Sequence, residues 1–120
     1  KKAEELFSVG ATVCAICGAT VALANAGLLD QRPHTSNGTG FLEMTCPGYK
    51  GQSFYIDKLS VSDHNLITAG AAGALLWTRQ IIEHLGVFQS DTLDFWYEFF
   101  NTGNPQYFFA LMQTLSNTDK

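Results

Sequence analysis

The chain has 120 residues, 46% apolar and 15% charged, with a formal charge of −4, so it has room for one globular core. Its seven Lys and Arg are spread along the chain, which leaves no basic patch for nucleic acid or an anionic membrane. No uninterrupted apolar run approaches the roughly 18 residues of a membrane span, and three cysteines, an odd number, predict a reduced, cytoplasmic setting.

Lys1-Lys2-Ala3-Glu4-Glu5 reads as amphipathic helix rather than signal peptide. Residues 3–8 are the end of that helix, closed at Gly10. Residues 11–16 form a continuous apolar run, the pattern of a strand covered on both faces in a parallel sheet, and Cys14 inside it reads as core. The pattern changes at Cys17-Gly18. Residues 19–26 are Ala-rich and helical until Gly27 stops them. Residues 28–33 are a connection, His34-Thr35-Ser36-Asn37 a short strand, and Gly38-Thr39-Gly40 its break. Residues 41–53, with Pro47-Gly48 and Gly51, read as a long irregular loop of the kind that often carries function. Phe54-Tyr55-Ile56 and Leu59-Ser60-Val61 are short apolar runs. Asp63-His64-Asn65 is a hairpin turn before Leu66-Ile67-Thr68-Ala69.

Gly70-Ala71-Ala72-Gly73 leads into a helix whose apolar positions, Leu75, Leu76, Ile81, Ile82 and Leu85, recur at helical spacing up to Gly86. Ser90 or Asp91 caps the next helix, which runs through Phe100 and ends at Asn101-Thr102-Gly103. Asn104 at the N-cap and Pro105 in the first turn open the last helix. Its apolar face is Phe108, Phe109, Leu111, Met112 and Leu115, and the tail from Ser116 to Lys120 is polar. Trp77 and the aromatic clusters at 95–97, 99–100 and 108–109 read as helix faces packed on a sheet, or as a dimer or partner surface.

Alternating strands and helices predict an α/β fold. Residues 1–86 would form the core and 87–120 a helical extension. One βαβ unit and a hairpin supply too few neighbours for the strand at 12–16. The expectation is that a preceding segment of the same precursor, roughly 60–100 residues, completes the sheet. Without it the strand should show a free edge or borrow another chain.

The strand–turn–helix around Cys17 has the marks of a nucleophile elbow, where a reactive side chain sits at the apex of a strained turn. The positions two before and two after are small, Ala15 and Ala19. Gly18 follows, and its N–H is a candidate oxyanion donor. The next helix points the positive end of its dipole at the sulfur. The plainer reading of Cys17 is a small buried hydrophobe. Cys14 and Cys17 have dithiol spacing, but that motif opens a helix, whereas Cys14 lies within a strand. Cys46, before Pro47, reads as structural or merely exposed.

His34 is the candidate base, since a base must reach the sulfur by hydrogen bond. Thr20, Asn37, Ala69 and Gly70 are the candidate borders of a substrate pocket. His64 reads as solvated in its turn, and His84 as a favourable charge near a helix C-terminus. The His and Cys residues are too scattered for a metal site. No Gly-rich loop with Lys is present, and no cofactor is expected.

Four stretches, residues 15–20, 26–30, 34–37 and 63–69, resemble in order and spacing the ThiJ/PfpI family of the class I glutamine amidotransferase-like superfamily. The resemblance runs from Gly10 to Gly86. It implies a flavodoxin-like three-layer sandwich with a mostly parallel sheet, the cysteine at the elbow, and further βα units before it. Members include intracellular peptidases, amidases, glyoxalase- or deglycase-like enzymes, isonitrile hydratases, stress chaperones and redox-responsive proteins. The implied function is a cysteine-dependent hydrolase or lyase-like enzyme, homo-oligomeric, acting on a small molecule or peptide. The alternative is a stress-response or redox-sensing protein whose Cys17 oxidises without turnover.

Two departures bear on mechanism. In the peptidase branch a His directly follows the cysteine, where this chain has Gly18. In the glutamine amidotransferases a His-x-Glu pair follows the last core strand, where this chain has Ala69-Gly70-Ala71. In a branch with a His on the strand after the elbow helix, that His falls where Asn37 stands. The family's acidic partner of the cysteine lies in its N-terminal portion, so no residue of this chain takes that role.

Overall fold

The apolar run before Cys17 forms a strand and the Ala-rich run after it a helix. The computed structural model describes residues 2–118, and in it α1 (Lys2–Ser8) is followed by β1 (Val13–Ile16) and α2 (Ala19–Asn25). Lys1 of the expected first helix and Asp119 and Lys120 of the expected polar tail lie outside the described residues. The chain falls into two compact units, Lys1–Trp77 and Thr78–Lys120.

The first unit holds a three-stranded mixed sheet in the order β1-β3-β2, where β2 is Ser60–Asp63 and β3 is Leu66–Ala69. β1 runs parallel to β3, with Val13 opposite Leu66 and Ile16 opposite Ala69. The connection from β1 through α2 to β3 is thus a parallel crossover, the unit from which α/β folds are built. β2 and β3 form an antiparallel hairpin, Ser60 opposite Ala69. Arg32 holds its turn by donating to Asn65 Oδ1 at 2.6 Å and to the Asp63 carbonyl at 3.3 Å.

The strand covered on both faces is β3, all four of whose residues are buried, and not β1. In β1 Ala15 faces the core, while Cys14 is exposed and not core as expected. The reason is position: β3 is central, whereas β1 has β3 as its one partner strand among the described residues. The core joins Ala15, Leu23, Leu29, Leu42, Tyr49 and Leu66. Each Leu buried there contributes about 2 kcal/mol over its exposed state.

Two expected elements differ. His34–Asn37 is not a strand; His34 alone forms an isolated parallel bridge, to Tyr55 of the expected apolar run at 54–56. Side chains and loop carbonyls take the hydrogen bonds a neighbouring strand would have supplied. The Thr35 N–H donates to Thr68 Oγ1 at 2.9 Å, and Thr35 Oγ1 to the Lys58 carbonyl at 2.9 Å. Residues 41–53 are not irregular throughout, because Phe41–Thr45 forms a short helix, α3, and Gln52–Phe54 a single 3-10 turn. Burial of Leu42, with Phe41 packed against the same core, draws α3 inward.

α4 (Ala74–Leu85) follows a 3-10 turn at Ala71–Gly73, and the boundary between the two units falls inside α4 rather than after it. The second unit continues with α5 (Ser90–Thr102) and α6 (Pro105–Thr118). Neither Ser90 nor Asp91 is the cap of α5. Gln89 holds that place, and the Asp91 carboxylate accepts the Thr92 N–H at 2.8 Å. α5 ends at Gly103, whose φ of 73° lets its N–H turn back to the Phe99 carbonyl at 2.7 Å. Asn104 caps α6 as expected, accepting the Gln106 N–H at 3.0 Å. Phe99 of α5 meets Phe108 of α6 with ring centroids 5.5 Å apart. Of the apolar face expected on α6, Leu111 is buried, but Phe108, Phe109 and Met112 are exposed. Arg79 pairs with Asp94, and its guanidinium lies 4.8 Å above the Tyr97 ring.

Candidate functional site

β1 delivers the chain to Cys17 and α2 carries it away, and the reversal between them costs Cys17 an unusual backbone. Its φ is 54°; among the described residues the other non-glycine with positive φ is His64, in the hairpin turn. Such a conformation costs a non-glycine residue about 1 kcal/mol or more, so surrounding bonds must hold it. Three do. The Cys17 N–H donates to the Ala69 carbonyl at 2.9 Å. The Cys17 carbonyl accepts the Thr20 N–H at 3.2 Å and the Thr20 hydroxyl at 2.7 Å. Because the single Thr20 hydroxyl proton goes to that carbonyl, Ser36 Oγ donates to Thr20 Oγ1, 2.7 Å away.

The Cys17 side chain is partly exposed, so it is neither buried core nor free in solvent. Gly18 is exposed and is the N-cap of α2. Among the described residues nothing accepts its N–H, which leaves that donor available to a ligand. α2 has seven residues, about two turns, so its dipole is short.

Among the described residues, one side chain reaches the sulfur. Asn37 Nδ2 lies 3.5 Å from Cys17 Sγ, and Asn37 Oδ1 accepts the Ala71 N–H at 2.8 Å. Beside Asn37 opens a cleft of about 490 Å³, bordered also by Asp57, Lys58, Gly70 and Ala71. A Cβ on Gly70 would stand 2.5 Å from the Ser36 carbonyl oxygen, so glycine is what lets this loop close against residues 36–37.

His34 does not meet Cys17. It is fully buried, with Nδ1 2.7 Å from the Arg32 carbonyl and Nε2 2.6 Å from the Tyr49 hydroxyl. A carbonyl only accepts, so Nδ1 carries the proton and Nε2 accepts from Tyr49. Burial pushes His34 below its ordinary pKa, against the opposing pull of the Arg32 carbonyl, Asp30 and Glu43. Tyr49 is pushed up to about 12, first by burial and then by Glu43, and keeps its proton. The neutral ring packs edge-on to Tyr49 and Tyr55 at 5.7 and 5.8 Å. In extended chain an odd spacing puts two side chains on opposite sides, so the segment that aims Asn37 at the sulfur turns His34 away.

Two expected pocket residues are also placed elsewhere. Thr20 is fully buried beneath the elbow, and Ala69 is a fully buried strand residue that serves through its carbonyl. Asn37 and Gly70 do border the cleft. Ser36 and the Ala71 N–H had no separate signal in the sequence, because their roles depend on residues far along the chain. Cys46 is buried, its thiol donating to Asn25 Oδ1 at 2.9 Å. Among the described residues no cluster of His, Cys, Asp and Glu is placed to hold a metal ion. None of their helices is long and apolar enough to cross a membrane.

The model of the DJ-1/PfpI family matches residues 1–84. The chain belongs to the DJ-1/PfpI family. Within it, the chain is 45% identical over 116 residues to the uncharacterized protease YoaZ of Bacillus subtilis (strain 168), a match covering 97% of this chain and 55% of YoaZ. It is 36% identical over 77 residues to the uncharacterized protease YdeA of the same organism, covering 64% of this chain and 39% of YdeA. The crystal structure of the thiJ/pfpI family protein from Bacillus anthracis superposes with a TM-score of 0.89 at 43% identity, over 94% of this chain and 53% of that one. The DJ-1 superfamily protein Atu0886 from Agrobacterium tumefaciens gives 0.73 at 26% identity, over 82% of this chain and 52% of that one. The chain therefore spans about half the length of these solved DJ-1/PfpI structures and 39–55% of the curated relatives. The flavodoxin-like α/β architecture expected from the sequence agrees with these neighbours.

Proposed function

We propose that this protein is a cysteine-dependent hydrolase of amide or peptide bonds, with Cys17 as nucleophile. The observation that carries the reading is the backbone of Cys17: a strained φ of 54°, held by three hydrogen bonds, presents a partly exposed sulfur 3.5 Å from Asn37, a residue that borders the cleft although Cys17 itself does not. Strain held in place at one reactive side chain is the mark of a functional elbow. That the relatives YoaZ and YdeA carry the name protease supports the reaction class.

The Cys17 thiolate adds to the substrate carbonyl carbon, forming an S–C bond while the carbonyl electron pair moves onto oxygen. The Gly18 N–H donates to that oxyanion. Collapse breaks the C–N bond, and the amine leaves with a proton taken from water. The hydroxide left from that water then attacks the thioester carbonyl, breaking the C–S bond, releasing the acid and restoring the Cys17 thiolate. A preceding segment of the same precursor, a homo-oligomer and a cytoplasmic setting belong to the same proposal. That β1 pairs with one strand, β3, among the described residues supports the first of them.

The test is turnover of a fluorogenic peptide and small-amide panel by the intact protein and its Cys17→Ser variant. Loss of all turnover with unchanged folding is expected, and full activity in the variant would overturn the reading. One observation favours a second reading, redox sensing: His34, the expected base, is bound to the Arg32 carbonyl and the Tyr49 hydroxyl and does not meet the sulfur. In that case hydrogen peroxide would oxidise Cys17 to the sulfenic acid with release of water. Intact-mass measurement showing selective oxygen addition at Cys17, without turnover, would decide for it.

A further inference from the structure

We propose that Asn37 is a directed hydrogen-bond donor to the reacting sulfur, its amide locked in one orientation by the Ala71 N–H. The proposal rests on Cys17 being the nucleophile. The two ends of an Asn side chain are alike in shape and opposite in hydrogen bonding. Ala71 N–H, 2.8 Å away, is a donor, so the oxygen must face it. The NH2 group then faces Cys17 Sγ, 3.5 Å away. The seat of this clamp is tight. Gly70 packs where a Cβ would lie 3.1 Å from the Asn37 Cα, and the Gly73 N–H donates to the Gly70 carbonyl at 2.9 Å.

An amide neither takes nor yields a proton near neutral pH, so Asn37 is not a base. It supplies a fixed partial positive charge where the sulfur carries its negative charge, and a bond to an ionised partner is stronger than a neutral one. As the sulfur becomes a neutral thioester that bond weakens, and it forms again when the thiolate is released. Asn37 touches the reacting atom and acts as a catalytic donor.

The experiment is the rate of iodoacetamide labelling of Cys17 in the intact protein, read by peptide mass spectrometry, with exposed Cys14 as internal reference. Asn37→Asp keeps an oxygen for the Ala71 N–H but turns the other toward the sulfur. Labelling of Cys17 should slow about tenfold, while the Cys14 rate and thermal midpoint hold. An Asp variant as fast as wild type would sink the proposal; because the new carboxylate also repels the thiolate directly, the slowing is attributed to the lost donor only if a variant that adds no charge shows it too. The second variant is Ala71→Pro, which removes the orienting N–H at the first position of its 3-10 turn. Gly70, at φ −83° and ψ 171°, already has the extended backbone a proline requires before it. A several-fold slowing at Cys17 supports the proposal, and an unchanged rate overturns it. Wild-type Cys17 reacting no faster than Cys14 would instead overturn the nucleophile reading itself.

Discussion

Thr20 grips the Cys17 carbonyl twice, through its N–H at 3.2 Å and its hydroxyl at 2.7 Å. The hydroxyl is fully buried and also receives Ser36 Oγ, so one side chain ties the elbow to the segment carrying Asn37. Thr20→Val keeps the shape and removes the hydroxyl, leaving Ser36 without its acceptor. Urea denaturation should show a loss of about 1–3 kcal/mol, and Cys17 labelling should slow because the turn is no longer pinned. Unchanged stability would mean that water replaces the hydroxyl.

The backbone of Cys17 makes an opposite prediction. Glycine is at ease at φ 54°, where Cys is not. Cys17→Gly should therefore be more stable than Cys17→Ala by about 1 kcal/mol, measured as the shift in urea midpoint at equal m-value. Equal midpoints would show that the elbow stores no strain.

His34 and Tyr49 set two limbs of a stability–pH profile. Burial holds the folded-state pKa of His34 below its unfolded value of about 6.5. Below that pH the unfolded state takes up the proton first, so stability falls as pH drops through about 6.5 and goes on falling to the folded pKa. Tyr49 is raised to about 12, against about 10 when unfolded. Its contribution is full below about 10 and is lost as pH rises toward 12. Chemical denaturation across pH checks both limbs. Tyr49→Phe should remove the alkaline one and cost about 1–3 kcal/mol at neutral pH, because His34 Nε2 loses its donor.

Gly70→Ala should harm the site without touching the sulfur. The added Cβ would stand 2.5 Å from the Ser36 carbonyl oxygen, a backbone atom, so the 70–73 turn must shift. Overpacking of this kind costs about 1–3 kcal/mol. The shift would also part Ala71 from Asn37, and Cys17 labelling should slow together with the drop in thermal midpoint. A variant as stable and as reactive as wild type would contradict the packing.

The strand–turn–helix at Cys17, the turn at His64 and the Asn104–Pro105 start of the last helix were legible in the sequence, because each depends on residues within a turn or two. Apolar runs, small residues at a bend and a capping side chain act locally, and their local order also carries the resemblance to the DJ-1/PfpI family. Which side chain reaches the sulfur was decided only by tertiary structure. His34 and Asn37 lie three residues apart in one segment, and packing of His34 on Tyr49 sends the imidazole inward and the amide to Cys17, 20 residues away in the chain. The same holds for Cys14, whose apolar run reads as interior, while its exposure follows from β1 having β3 as its described neighbour. Thr20 looks like a pocket residue at a helix start until the fold places Ser36 against its hydroxyl. Local propensity acts over a few residues, whereas contacts across 16 to 20 residues exist only once burial has set which faces meet.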